Sequence, residues 1–382
     1  MDKEITVSSK IYPNSDGRKL SMTDMLSYFE KHGAMRVSDL HIKSGAIPAY
    51  RIDGDLVKLN GPEVTDELAE GLIFPLIGEK SLAILKKDNS VDCSYRFGNL
   101  QFRINVFMEN DGLCAAIRAL GLEIPKPEEI GFPNDLWKDI IRLKHGLVLF
   151  TGITGAGKST TIASLIDRIN QNRACRIITL EDPIEYLFGQ RNSVISQREV
   201  GRDIGSFSDG LRAMMRQDPD IIFVGEMRDS ETVNMTLTAA ETGHLVFSTL
   251  HTRDVTGSIT RILDYFPAGR QDEVRNQLSL GLAYVVCQKL VPRKNGKGRV
   301  VAMEILNNNY AAANLIRTGK VEQLYSQLQI KTKNKPDEKM LTLERHLARL
   351  VKAGEVDMLE AQKWANDQNS FVDAMSAETD IE

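Results

Sequence analysis

The chain is short of cysteine and of long apolar runs and has no net positive charge, and each lack excludes something. Four cysteines, Cys93, Cys114, Cys175 and Cys287, are spread over 382 residues. None forms a C-x-x-C pair, which argues against a cysteine-based zinc site or a disulfide framework. Scattered thiols suit a reducing cytosol. The stretch Met1 to Ser9 is charged and lacks the apolar centre of a signal peptide. The longest apolar run, Leu278 to Cys287, is interrupted by Ser279 and stops at Gln288–Lys289. A spanning helix needs about 20 apolar residues, so membrane association is expected only through a partner or the surface. A net charge of −4 gives no electrostatic footprint for nucleic acid, and no such partner is expected. With 42% hydrophobic and 26% charged residues, the composition is that of a globular protein. Its length suggests two or three domains.

Residues 1–20 are polar, with Pro13, Asn14, Asp16 and Gly17, and read as a loose extension. Ser21 is placed to N-cap a helix with Met25, Leu26 and Phe29 on one face. A strand-rich region follows. Asp53-Gly54, Gly98-Asn99 and Asp111-Gly112 are turn signals between apolar runs. Leu100, Phe102, Ile104 and Val106 alternate with Gln101, Arg103 and Asn105, the period of a half-buried strand. Thr65 to Lys87 reads as helix. Residues 21–120 are thus expected to form a small α+β domain, and 121–134, with Pro125, Pro127 and Pro133, a linker.

From 135 the pattern changes. Leu147–Phe150, Ile177–Leu180, Ile221–Val224 and Leu245–Ser248 alternate with helical segments, which predicts a mostly parallel α/β sheet over 135–370. From about Val274 onward the chain reads as helical, with Leu343, Leu347, Leu350 and Val351 on one face. Residues 371–382 read as a frayed tail. Lys331 to Lys339 reads as a solvated basic loop.

Gly152-Ile153-Thr154-Gly155-Ala156-Gly157-Lys158-Ser159, followed by Thr160, fits G-x-x-x-x-G-K-[ST] between a strand and a helix. The glycines let backbone N–H groups wrap phosphate oxygens, aided by the helix N-terminus. Lys158 can reach the β- and γ-phosphates and Ser159 can ligate Mg²⁺. ATP and Mg²⁺ are the expected ligands. Hydrolysis also needs a positioned water and carboxylates. Ile177–Leu180 runs into Glu181-Asp182, and Ile221–Val224 into Gly225-Glu226. Glu226 is the expected general base. Glu181 and Asp182 are expected near Mg²⁺, directly or through water. Glu185 and Asp229 suit capping or pairing as well as any active-site role.

His251 falls at a C-terminal strand end, where parallel sheets bind ligands. His244 falls at the opposite end of the same strand, where spacing favours a structural hydrogen bond. Arg103 and Arg118 suit surface pairing, or a reach to nucleotide held by a neighbouring subunit.

These segments together resemble the secretion ATPase superfamily of ring-forming motors, nearest its type IV pilus retraction branch. The resemblance is carried by SDLH at 38–41, YRIDG at 50–54, FRINVF at 102–107 and GITGAGKST at 152–160. It continues in LEDPIEY at 180–186, RQDPDIIFVGEMRD at 216–229, ETGHLVFSTLHT at 241–252, QKLVPR at 288–293 and ANLIRTGK at 313–320. It implies an N-terminal PAS-like domain, a C-terminal RecA-like ATPase domain and a homohexameric ring. It raises Arg103, Arg118, His244 and His251 to functional residues. It implies work against an inner-membrane pilus platform protein, alongside related motor ATPases, from the cytoplasm. The missing C-x-x-C favours retraction over the assembly and type II secretion branches. Against it, Ala311 to Thr318 lacks the Ile, Arg and Glu of the branch's usual AIRNLIRE, and Ile153 stands where proline is usual. An assembly or secretion motor, and a non-motor ring subunit that only binds ATP, are the rival readings.

Overall fold

A computed structural model describes residues 5–377, apart from 34–35, 54, 99, 111, 121–123, 297 and 335–338; of 120 and 330–334 the backbone alone is described. Gly54, Asn99 and Asp111 of the expected turns, the start of the expected linker and the end of the expected tail therefore lie outside the described residues. The chain divides into two compact units. One comprises Met1–Glu123 with Pro183–Leu187, the other Ile124–Asp182 with Phe188–Glu382.

The first unit opens on a small antiparallel pair, β1 (Tyr12–Pro13) and β2 (Lys19–Leu20). This corrects the loose extension. Tyr12 is fully buried, and its hydroxyl donates to the Pro62 carbonyl at 2.8 Å. One aromatic anchor with a satisfied hydroxyl docks a segment whose composition is otherwise that of a loop. Then come α1 (Met22–His32), β3 (Val37–Lys43), β4 (Ala49–Ile52), β5 (Asp55–Lys58), α2 (Asp66–Asp88), β6 (Ser90–Phe97), β7 (Leu100–Glu109) and β8 (Gly112–Leu120). Ser21 and Asp24 form a reciprocal capping box on α1. The six-stranded sheet is antiparallel, in the order β5-β4-β3-β8-β7-β6. Phe102, Ile104 and Val106 are buried on one face with Leu26 and Phe29 of α1 and Leu72 and Ile73 of α2. The alternation along β7 thus separates a helix-covered face from a polar one.

The second unit begins with α3 (Pro127–Ile130) and α4 (Leu136–Ile140). The described part of the expected linker is therefore docked, with Glu128 held by Arg168 at 2.7 Å. The elements then run β9 (Gly146–Thr151), α5 (Lys158–Asn172), β10 (Arg176–Glu181), β11 (Val194–Glu199), α6 (Phe207–Met214), β12 (Ile221–Val224), α7 (Ser230–Glu241), β13 (Leu245–Leu250), α8 (Val255–Asp264) and α9 (Ala268–Gly281). They close with β14 (Leu282–Pro292), β15 (Arg299–Asn307), α10 (Tyr310–Arg317), α11 (Leu324–Asn334), α12 (Leu343–Lys352), α13 (Met358–Trp364) and α14 (Gln368–Ala377). The sheet order is β11-β10-β12-β13-β9-β14-β15, parallel except for β15. Every residue of β9 and β13 is buried, as helices on both faces require.

Two strands correct the helical reading after Val274. The run Leu282–Val291 is apolar nearly throughout, and periodicity cannot separate a buried strand from a buried helix. The better signals were the β-branched Val285-Val286 and Val300-Val301 on either side of the turn at Asn295-Gly296. The expected frayed tail is also corrected. Within α14, Phe371 is fully buried and packs in one cluster with Val291, Val300 and Leu347. The expected basic loop is helical as far as Asn334, and Lys339 pairs with Asp135 at 2.8 Å and Asp139 at 2.6 Å. No helix among the described residues is long and apolar enough to cross a membrane.

Candidate nucleotide site

Four neighbouring parallel strands, β10, β12, β13 and β9, end on the same edge of the sheet. The C-terminal ends of such strands are where open α/β sheets bind ligands. After β9 the chain turns through the glycine loop into α5. Gly155 and Gly157 hold φ of 78° and 85°, left-handed values that glycine adopts without strain. A Cβ on Gly152 would lie 2.5 Å from the Gln288 carbonyl oxygen. Only glycine allows the loop to lie this close to β14. Gly152→Ala is therefore expected to push the loop off β14 and lower ATP turnover by about 10²-fold, the scale of an ångström-sized displacement. Turnover at saturating ATP checks it.

A Cβ on Gly155, by contrast, would meet nothing within 4 Å, so the loop keeps an open concave side. Lys158 is largely buried, and its ammonium donates to the Gly152 carbonyl at 2.7 Å and the Ile153 carbonyl at 3.2 Å. Ser159 and Thr160 lie partly buried on the first turn of α5. Ala156 is buried and Thr154 exposed. Gln288 of β14 donates to the Thr161 hydroxyl at 2.9 Å, fastening α5 from behind. Open loop, helix N-terminus and adjacent ammonium together fit a nucleotide's phosphates.

The acidic groups converge on this edge. The Ser248 hydroxyl donates to the Val224 carbonyl at 2.9 Å and the Thr249 hydroxyl to the Gly225 carbonyl at 2.6 Å. These bonds tie the end of β12 to β13. Gly225 has no side chain to separate β12 from β10; a Cβ there would lie 3.2 Å from the Leu180 carbonyl oxygen. Glu226 is thereby brought to 3.5 Å from His251 Nε2, while His251 Nδ1 lies 3.5 Å from the Thr154 hydroxyl. Burial, then the Lys158 charge, pushes the His251 pKa below its ordinary 6.5, with Glu226 opposing. The ring is neutral at pH 7.

Arg228 is the site residue that sequence reasoning missed. Its guanidinium donates to Glu226 at 2.9 Å and to Asp182 at 3.1 Å, joining the acids at the ends of β12 and β10. Its position two residues after Glu226 was the available signal. Glu181 is buried and accepts from the Thr179 hydroxyl at 2.6 Å and Gln197 at 3.3 Å.

His244 is not part of this cluster. It precedes β13 at the opposite end from His251, a separation of about 23 Å at the usual strand rise. Its Nδ1 lies 2.9 Å from the Ala239 carbonyl and 3.2 Å from the Thr242 hydroxyl, closing off α7. Within one chain these contacts are the structural hydrogen bonds that its spacing favours.

Arg103 and Arg118 belong to the first unit. They are directly opposed across β7 and β8, and Arg118 is in turn opposed to Asp39. The row lies on the polar face. Arg118 donates to Asp39 at 2.7 Å; Arg103 lies 3.8 Å from Asp92. Burial works against ionisation of Asp39, but the Ser38 hydroxyl and Arg118 outweigh it and hold its pKa below the usual range.

A glycine phosphate loop on a parallel sheet, with acids at the neighbouring strand ends, defines a P-loop nucleotide-binding protein. Comparison with known proteins narrows this. The profile of the type II/IV secretion system protein family matches residues 33–369. The type IV pilus retractation ATPase PilT of Pseudomonas aeruginosa is 42% identical over 311 residues, covering 81% of this chain and 89% of that protein. The type IV pilus ATPase PilU of the same organism is 34% identical, covering 87% and 86%. A crystal structure of the pilus retraction motor PilT with bound ADP is 42% identical, with a TM-score of 0.82 over 92% of this chain and 99% of that one. The chain belongs to the type II/IV secretion system protein family. Its fold, an α+β unit and a P-loop ATPase unit with helices at its C-terminal end, is the expected one.

Proposed function

We propose that this chain is a Mg²⁺-dependent ATPase motor that powers type IV pilus retraction. The observation that carries the reading is the cluster of Lys158, Glu226, Arg228, Asp182 and His251 around one phosphate loop. Similarity to pilus retraction ATPases over most of both chains supports it.

The loop amides of Gly152, Thr154, Gly155, Ala156 and Gly157, with Lys158, Ser159 and Thr160, bind the nucleotide's phosphates. Ser159 and Asp182 would hold Mg²⁺, directly or through water. Among the described residues no group of three or more metal-binding side chains exists. Mg²⁺ usually takes one or two protein oxygens and draws the rest from phosphates and water, and a serine hydroxyl with one carboxylate is a donor set of that kind. When bound, the ion neutralises charge on the phosphates. Glu226 accepts the proton of the attacking water, Arg228 orients that carboxylate, and Glu181 braces the strand end beneath it. Neutral His251 offers a hydrogen bond beside Thr154. Arg103 and Arg118 contact nucleotide bound by a neighbouring subunit of a homohexameric ring. The ring works in the cytoplasm on an inner-membrane pilus platform protein, with related motor ATPases as further partners.

Deletion of the gene in a piliated host tests the direction of work. Loss of retraction leaves excess surface pili and abolishes twitching, and active-site variants fail to restore it. A deletion strain without pili overturns retraction in favour of assembly.

A further inference from the structure

Behind the His251 loop lies a buried acid that the reading above does not use. Glu304 of β15 is 2% exposed, and one of its carboxyl oxygens accepts the Val255 N–H at 3.1 Å. Val255 is the first residue of α8, so the contact sits where the chain leaves His251 and enters the helix. Two further contacts hold the same loop. The thiol of Cys287, directly opposite Glu304 on β14, lies 3.9 Å from the Thr252 carbonyl. The Ser258 hydroxyl lies 2.6 Å from the Thr252 hydroxyl and 3.2 Å from that of Thr151, at the end of β9. The segment 251–255 is thus bound down onto the strand that feeds the phosphate loop and the two strands beyond it.

The groups facing Glu304 come from every side. They are Cys287 and Lys289 of β14, Asp254 at the start of α8, Glu344 of α12 and Tyr325 of α11. Lys289 does not serve Glu304 alone: its ammonium donates to the Trp364 carbonyl at 2.8 Å and to Asn366 at 2.6 Å. Glu344 accepts the Asn366 and Asp367 N–H groups at 3.0 and 3.2 Å and the Tyr325 hydroxyl at 3.1 Å. Among the described residues, the Val255 N–H donates to the buried Glu304 carboxyl, with the acids Glu344 and Asp254 among its neighbours.

We propose that Glu304 is a positioning residue for ATP hydrolysis, its carboxyl holding the first turn of α8 and, through it, His251 against Glu226 and Thr154. The proposal rests on the reading of Glu226 and His251 as hydrolytic residues. Burial raises the Glu304 pKa to about 8, with Glu344 and Asp254 adding to the shift. The residue therefore works as a neutral acid at pH 7. Above about pH 8 it ionises. A buried charge there, repelled by Glu344 and Asp254 and only partly offset by Lys289, then loosens the packing under the loop. The sign for stability follows. Between about 4.5, its ordinary pKa, and about 8 the folded chain keeps a proton that the unfolded chain has lost, so this group lowers stability as pH rises through that window.

The test uses the full chain, with kcat and KM for ATP measured from pH 6 to 9 in the wild type, Glu304→Gln and Glu304→Leu. Glutamine keeps the acceptor for Val255 and cannot ionise; leucine removes the acceptor. Glu304→Leu is expected to lower kcat by about 10- to 10²-fold, with KM for ATP nearly unchanged. The wild type is expected to lose kcat above pH 8; Glu304→Gln is expected to keep wild-type kcat at pH 7 and to abolish that fall. Wild-type kcat in the leucine variant overturns the proposal. So does an alkaline fall that persists in the glutamine variant, or a glutamine variant as slow as the leucine one. If the leucine variant does not fold, the pH profile of the glutamine variant decides. Absence of turnover in the wild type at every pH would overturn the ATPase reading instead.

Discussion

Glu226→Gln is expected to lower steady-state ATP turnover by roughly 10²–10⁴-fold, the range of a positioned general base, while ATP binding and ring formation persist. The reasoning is local. Glutamine has the shape of glutamate and still accepts a hydrogen bond from Arg228, which contacts Glu226 at 2.9 Å. The bonds from Ser248 and Thr249 that fix the end of β12 are made to backbone carbonyls and survive the change. What is lost is the ability to take a proton from water. The measurement pairs a turnover assay with nucleotide binding and sizing of the assembly. Wild-type turnover with binding intact would remove Glu226 from its assigned role.

Lys158→Ala should fail at the earlier step. The ammonium is largely buried and holds the carbonyls of Gly152 and Ile153 at 2.7 and 3.2 Å, so it is already fixed at the mouth of the loop. A hydrogen bond to a charged group contributes about 1.5–3 kcal/mol. Losing two such bonds to phosphate oxygens weakens ATP binding by about 10²-fold or more. Titration calorimetry with a non-hydrolysable analogue distinguishes the two variants: Glu226→Gln binds as the wild type does, Lys158→Ala does not. Equal binding by both would mean that Lys158 does not hold phosphate.

The candidate site was legible in the sequence as short contiguous runs. The phosphate loop is a contiguous chemical requirement: glycines where the backbone must turn sharply, a lysine and a serine at fixed offsets. Glu226 and His251 follow apolar strands whose ends must point the same way once the sheet is parallel. Arg228 was not legible, because its role comes from reaching two acids at the ends of different strands. His244 was legible as a residue set apart from this edge. It lies seven residues from His251 in sequence, and an extended strand turns that into the full height of the sheet. The elements that were misread are those whose local pattern is ambiguous. Leu282–Val291 is apolar on both faces because helices cover both, which erases the alternation that marks a strand. Residues 1–20 and 371–382 read as loose ends, yet one buried ring, Tyr12 or Phe371, docks the described part of each.

Sequence alone was enough for chemistry encoded in short runs: a phosphate loop, acids after apolar strands, turn dipeptides between alternating segments, and the absence of paired cysteines. These depend on neighbours along the chain, and local sterics and hydrogen bonding enforce them. Tertiary structure was needed wherever residues far apart in sequence share one environment. The strand order put β13 between β9 and β12, and so set His251 between the phosphate loop and Glu226. It laid β15 at the sheet edge and buried Glu304 beneath the start of α8, with Asp254 and Glu344 among its neighbours. A carboxyl's ionisation depends on the charges and the water around it, and only the packed fold sets either.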